Sequence, residues 1–209
     1  MKLHVVGSGG VGFWLVPALL RAGHELTLYD DDDFQGGSGH LRLPKVGDPT
    51  TKKVTFARGF CLAVMGDMGL TPVPQKFTGD EVAAGDLVVD CSDMPLTARK
   101  VIWARARELD ARCIRVSYDG KDNTVVVAEG LPLAGRKGGG YGQIPSLALS
   151  LVAGGIGATA VMKILSGWTE HIDFRVSLGD HFPETVVEVV EPEREKPKRK
   201  RKVTNGVHP

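Results

Sequence analysis

Cysteine is scarce: the chain has three, Cys61, Cys91 and Cys113, and no two of them form a C-x-x-C pair. That argues against a thiolate zinc site. An odd, scattered set offers no disulfide framework, which points to a reducing, cytoplasmic compartment. No signal peptide is visible, because the N-terminus runs directly into a strand-like segment. Net charge is almost absent too, at +1, and by itself indicates neither a nucleic-acid nor a membrane partner. Charge is wholly missing between Lys137 and Lys163, yet apolar residues dominate only from Ile144 to Leu165, and Gly154, Gly155 and Gly157 interrupt them. A buried helix fits that pattern better than a membrane span. There is no internal repeat.

Apolar residues, by contrast, are plentiful at 42% of 209 residues, enough for one domain with a sizeable core. The expected organisation is a domain over residues 1–190 and a basic, disordered tail over 191–209. That tail carries seven Lys/Arg against three Glu, a net of +4, which leaves about −3 for the remainder of a chain whose total is +1. Its KPKRKRK run reads as solvated, with weak nucleic-acid contact, a localisation signal, solubility or an acidic protein partner as its uses.

Glycine is abundant at 27 residues, and clustered. Lys2 to Val6 reads as a buried strand, followed at once by glycines and then a helical run ending at Gly23, with Pro17 inside it. Glu25 to Tyr29 is a second strand, ending in four aspartates, Asp30 to Asp33. Strand, glycine loop, helix and strand within thirty residues make a βαβ unit with parallel strands. Phe34 to Lys53 reads as loop. A helix is expected over Val54 to Met68, stopped by Gly69, and a strand over Pro72 to Phe77. Asp86 to Cys91 reads as a buried strand, Thr97 to Leu109 as a helix, and Arg112 to Tyr118 and Asn123 to Ala128 as strands. A glycine-rich loop, Leu133 to Ser146, precedes the apolar helix. The segments HIDFRVSL and TVVEVV close the pattern as an antiparallel hairpin. The fold class is therefore α/β: a Rossmann-like, mostly parallel sheet flanked by helices, with an antiparallel edge near the C-terminus.

The first chemical signal is Gly7-Ser8-Gly9-Gly10-Val11-Gly12, a GxGxxG between strand and helix. Glycine lets the chain turn sharply and lets backbone N–H groups approach phosphates at a helix N-terminus. Asp30 lies 18 residues beyond Gly12, at the end of the second strand, where a carboxylate accepts hydrogen bonds from ribose hydroxyls. That much suits NAD as well as ATP.

Further along, the ordered motifs resemble the ThiF/MoeB/HesA superfamily, which includes the nucleotide-binding halves of ubiquitin-activating enzymes. GSGGVG stands for the family's GxGGxG, and Asp30 with Asp32 for its D-x-D. Ser38-Gly39-His40-Leu41-Arg42-Leu43 stands at its S-N-x-x-R-Q-like loop. Val46-Gly47-Asp48-Pro49, followed by Lys52 and Lys53, stands at its VG-x-P-K-like segment. Asp90-Cys91-Ser92-Asp93 matches D-C-[ST]-D, with Arg99 six residues after Asp93, and the late MKILSG resembles the end of its last helix. The sequence departs at Gly39, Leu43 and Met94, which replace the family's Asn, Gln and Asn. Relatives also carry an N-terminal helix whose Arg reaches the partner subunit's site. That Arg has no counterpart in this sequence, so a partner supplies it or nucleotide binds without adenylation.

The resemblance implies ATP and Mg²⁺ as cofactors and ATP-dependent adenylation of a carboxylate, such as the C-terminal glycine of a ubiquitin-like or sulfur-carrier protein. It implies that Gly7, Gly9, Gly10 and Gly12 hold phosphates, that Asp30 holds the ribose, that Asp32 also binds the cofactor, and that Arg42 and Lys53 neutralise phosphate charge. It gives Asp93 to Mg²⁺ or to steering the attacking carboxylate, leaves Lys52 as a rival for Lys53, and implies a homo- or heterodimer. Two alternatives stay open: an NAD-dependent oxidoreductase, and a non-catalytic nucleotide-binding subunit of a heterodimeric activating enzyme.

Plainer readings exist for each residue. Arg42, Lys52 and Lys53 could be solvated charges, and Asp93 could cap the next helix. Asp31 and Asp33 are expected to face solvent. His4, Cys91 and Cys113 read as core residues, and His40 as exposed. The Gly138 to Gly142 loop could cradle an extended peptide or serve as a linker.

Overall fold

The structure, a computed structural model, describes residues 1–34, 51–67, 69–93, 96–119, 124–129, 147–177 and 186–189. Its elements in chain order are β1 (Leu3–Val6), α1 (Gly10–Arg21), β2 (Leu26–Tyr29), α2 (Lys53–Met65), β3 (Leu70–Val73), β4 (Leu87–Asp90), α3 (Leu96–Glu108), β5 (Arg112–Asp119), β6 (Thr124–Glu129), α4 (Leu147–Leu165), β7 (Asp173–Ser177) and β8 (Val186–Val189). One eight-stranded sheet runs β3-β2-β1-β4-β5-β6-β7-β8. The first five strands in that order pair in parallel, and β5–β6, β6–β7 and β7–β8 are antiparallel. The mostly parallel sheet and its closing hairpin are as expected. The antiparallel part is larger than expected, because β6 already runs against β5.

One helix end and both ends of one strand differ clearly from the sequence reading. Helix α2 stops at Gly66, whose φ of 82° suits glycine, instead of at Gly69. Strand β3 begins at Leu70, two residues before the apparent start at Pro72, and ends at Val73, not Phe77. A proline masked that start, yet β3 is the edge strand, where a missing N–H is tolerated. Pro17 stays inside α1 without ending it.

Alternation along the strands divides the core. Leu3, Val5, Leu87, Val89, Ile114 and Val116 pack with α1 and α4 on one face. Their neighbours Val6, Val88 and Cys113 pack with Ile102, Trp103 and Ala106 of α3 on the other. Strands buried on both faces explain why β1 and β4 read as mostly apolar runs, with only His4 and Asp90 polar. Helix α4 is long and apolar enough to cross a membrane, with half of its apolar window buried in the fold. Its glycines permit that burial. A Cβ on Gly154 would stand 2.8 Å from Trp14 Cβ, and one on Gly157 would stand 2.7 Å from Val116 Cγ1.

Register fixes where a ligand can sit. Val73, Tyr29, Val6, Asp90 and Arg115 form one row across the carboxyl ends of β3, β2, β1, β4 and β5. Strand order reverses between β1 and β4, so their loops leave in opposite directions and open a crevice.

Candidate functional site

That crevice is a cleft of about 370 Å³. Its walls include Gly7, Gly9, Gly10, Asp30, Asp32, Lys53, Asp93 and Arg99. Four chain segments far apart in sequence therefore meet there.

The glycine turn is built by close approach. Gly7 has φ +95°, and a Cβ there would lie 2.9 Å from Ser92 Cα. Its N–H donates to Tyr29 O at 2.8 Å, continuing the sheet past β1. Gly9 is the residue before α1, and a Cβ on it would meet nothing within 4 Å. The first intrahelical bond is from Phe13 N–H to Gly9 O at 3.0 Å. The N–H groups of Gly10, Val11 and Gly12 precede it, at the positive end of the helix dipole. Gly12 is a packing position: a Cβ there would lie 1.9 Å from Gly7 O, and the residue is buried and does not line the cleft.

Asp30 ties the turn to the end of β2. Its Oδ2 accepts from Ser8 N–H at 2.6 Å and its Oδ1 from Asp32 N–H at 3.0 Å. Burial raises its pKa above the usual carboxylate value, and the Ser8 hydrogen bond and the field of Lys53 only partly offset this. A desolvated carboxylate facing a cleft is suited to accept hydrogen bonds from a ligand's hydroxyls.

The lysine pair separates cleanly. Lys53 lines the cleft and bonds Asp32 Oδ2 through Nζ at 2.5 Å. Lys52 points elsewhere, to Asp33 Oδ1 at 2.8 Å and Asp31 O at 2.9 Å, and is not in the cleft wall. Burial opposes the charge on Lys53, but the Asp32 hydrogen bond and the fields of Asp30, Asp32 and Asp93 outweigh it, and its pKa is raised. Asp33 and Lys52 also form an isolated antiparallel bridge, which pins the start of α2 beside the end of β2.

Asp93 is exposed in the cleft wall just past β4. Just upstream, Asp90 Oδ1 accepts from Ser92 N–H at 3.0 Å and Ser92 Oγ–H at 2.6 Å, closing a turn at the end of β4. Arg42, Gly39, His40 and the Gly138 to Gly142 loop lie outside the described residues.

The sequence reading gave no role to Arg115, Arg99, Tyr29 or Phe77, all of which line the cleft. Arg115 was signalled by a charge between Ile114 and Val116 in the strand RCIRVSY. It is buried and donates from Nη1 to Asp90 Oδ2 at 3.0 Å and to Ser92 O at 3.2 Å. The cysteines are not poised for chemistry: burial pushes Cys61 up to about 11 and raises Cys91 and Cys113 as well. His4 is a core residue, held by Tyr29 Oη at 3.1 Å and Asp86 Oδ2 at 3.2 Å.

No family model matches the chain, and a search among curated proteins finds no match. Solved structures do match. E. coli MccB with ATP superposes with TM-score 0.67 at 16% identity, covering 90% of this chain and 62% of that one. E. coli MccB with AMPCPP and MccA gives TM-score 0.68 at 15% identity, covering 90% and 63%. The microcin C7 biosynthetic enzyme MccB with N-formylated MccA gives 0.67 at 14%, covering 90% and 64%. The chain thus spans less than two thirds of the length of MccB. At these identities the likeness establishes the fold: an α/β sheet, mostly parallel with an antiparallel edge, of the kind MccB has.

Proposed function

We propose that the cleft binds ATP with Mg²⁺ and activates a carboxylate as an acyl-adenylate, in the manner of the ThiF/MoeB/HesA superfamily. The observation that carries this is the meeting of the Gly7–Gly10 turn, Asp30, Lys53 and Asp93 in one cleft at the strand-order reversal. The likeness to a fold that has been solved with ATP adds support.

In this reading a carboxylate oxygen attacks the α-phosphorus. A C(O)O–P bond forms, the P–O bond to the β-phosphate breaks, and pyrophosphate leaves with its electron pair. The helix N-terminus after Gly9 offers N–H groups to the phosphates, Asp30 holds the ribose hydroxyls, and Lys53 neutralises charge as the leaving group departs. Arg42 is proposed to join Lys53. The donor set suits Mg²⁺, which takes one or two protein carboxylates together with substrate phosphates, and exposed Asp93 is such a carboxylate. The ion would supply neutralisation of phosphate charge. The proposed acyl donor is the C-terminal carboxylate of a protein or peptide, a ubiquitin-like or sulfur-carrier protein being the leading class, acting with a homo- or heterodimer.

ATP–pyrophosphate exchange with candidate carboxylates tests the reading. Exchange that depends on the carboxylate supports it, whereas no exchange together with tight NAD binding overturns it. A second reading, a non-catalytic nucleotide-binding half of a heterodimer, draws on the Lys53–Asp32 ion pair, which engages the ammonium that phosphate would otherwise take. Exchange that appears only after a partner protein is added favours that reading.

A further inference from the structure

Two buried arginines line the cleft, and their circumstances differ. Arg115 is 8% exposed and is neutralised by Asp90. Arg99, on the first turn of α3, is equally buried at 8%. It makes no hydrogen bond or ion pair among the described residues, and its Nε is buried without a partner. A guanidinium stays charged at any ordinary pH, and its desolvation is offset only by anionic or strongly accepting groups. Among the described residues Arg99 lacks one. It borders the cleft beside Ser92, Asp93 and Arg115.

We propose that Arg99 contacts the ligand directly, its guanidinium taking a pair of anionic oxygens from the molecule bound in the cleft. The Nε edge of arginine matches two oxygens of one phosphate or carboxylate. In this the nucleotide's phosphate and the acyl donor's carboxylate share the same chemistry. The proposal deepens the adenylation reading and rests on it for the identity of the ligand; the need for an anion follows from the buried, unpartnered charge.

Arg99→Gln, Arg99→Met and Arg99→Lys separate the outcomes. A cation with no protein partner contributes nothing to the empty fold, so Gln and Met variants should melt at or above the wild-type temperature. If phosphate is the partner, ATP·Mg²⁺ affinity by calorimetry falls about 10- to 100-fold in Arg99→Gln, adenosine affinity holds, and Arg99→Lys recovers part of the loss. If the carboxylate is the partner, ATP affinity holds and KM for the acyl donor rises by about tenfold or more. Either result supports the proposal. ATP affinity, adenosine affinity and acyl-donor KM all within about twofold of wild type would overturn it. A much lower melting temperature in both Gln and Met variants would also overturn it, since the partner would then lie within the protein. Should wild type neither bind ATP nor catalyse exchange, the adenylation reading alone fails. Stabilisation by pyrophosphate and citrate then decides: loss in Arg99→Gln supports the anion contact, and equal shifts in both proteins refute it.

Discussion

Arg115 Nη1 stands 3.0 Å from Asp90 Oδ2, with side chains only 9% and 2% exposed. The pair joins adjacent strands in register, β4 to β5, and Arg115 lines the cleft. Ser92 uses the other carboxylate oxygen, so both acceptors of Asp90 are committed. Removing one partner leaves the other charge buried. Asp90→Asn should therefore destabilise the fold by about 3–5 kcal/mol, while the double variant Asp90→Asn/Arg115→Met should recover much of that loss. Urea unfolding of the three proteins measures this. Equal losses in the single and double variants would show that the pair is not coupled.

The glycine turn separates folding from binding. A methyl group at Gly12 has no space, standing 1.9 Å from Gly7 O, whereas one at Gly9 meets nothing. Gly12→Ala should then cost about 1–3 kcal/mol or more through forced backbone movement. Gly9→Ala should leave the melting temperature within a few degrees while weakening ATP, because its methyl occupies space the phosphates need. Comparing melting curves with nucleotide titrations checks both. A Gly9→Ala variant with unaltered ATP affinity would mean that phosphate does not approach this turn.

Lys53 offers a sharper test of the cleft chemistry. Its partner Asp32 is 64% exposed, so the pair adds at most about 1 kcal/mol to stability. Lys53→Met should therefore fold nearly as well as wild type. If Lys53 meets phosphate, ATP affinity should fall by about 10- to 100-fold, as for loss of one charge-assisted hydrogen bond. Lys52→Met, which alters a lysine outside the cleft wall, should leave binding intact. Equal effects from the two lysines would assign both to general surface charge.

How much of this was legible beforehand follows from the kind of signal involved. The βαβ opening was readable because β1 and α1 announce themselves locally, by an apolar run and a glycine turn. The Asp30 position was readable because it ends a strand. The α2 stop was misplaced because Gly66 and Gly69 are equally good stops by composition, and both adopt positive φ. The direction of β6 was legible in the chain but not read: only residues 120–123 separate it from β5, too few for the crossover a parallel pair needs. Arg99 and Arg115 were undervalued because their meaning lies in burial and in the presence or absence of a partner across the sheet. Neither property shows in a string.

Two aspartates at opposite ends of the sheet make opposite pH predictions. Asp86 is buried, and desolvation alone would raise its pKa. Backbone N–H groups of Lys2 at 2.6 Å and Ala83 at 3.0 Å, together with His4, win and hold it below the usual 3.8. Its stabilisation is present above the unfolded value and is lost as pH falls through the folded one. Asp30 is raised, so the folded state binds protons more readily than the unfolded state there. Stability falls as pH rises from 3.8 through its folded value. Asp86→Asn should thus lose about 2 kcal/mol near neutrality and flatten the acid limb below 3.8. Asp30→Asn should gain on wild type as pH climbs out of the carboxylate range. Denaturant curves across pH test both, and profiles with the same sign would refute the assignment.

Helix α4 carries the last contrast, within two adjacent residues. A Cβ on Gly154 would lie 2.8 Å from Trp14 Cβ and 2.9 Å from Leu15 N, where α4 crosses α1. A Cβ on Gly155 would meet nothing within 4 Å. Both substitutions to alanine gain helix propensity, roughly 1 kcal/mol each. Only Gly154→Ala must also push two helices apart, at about 1–3 kcal/mol. Gly155→Ala should therefore stabilise the protein and Gly154→Ala should destabilise it or break even. If α4 instead lay free of α1, both would stabilise equally in thermal unfolding, and the packing that closes this face of the sheet would be wrong.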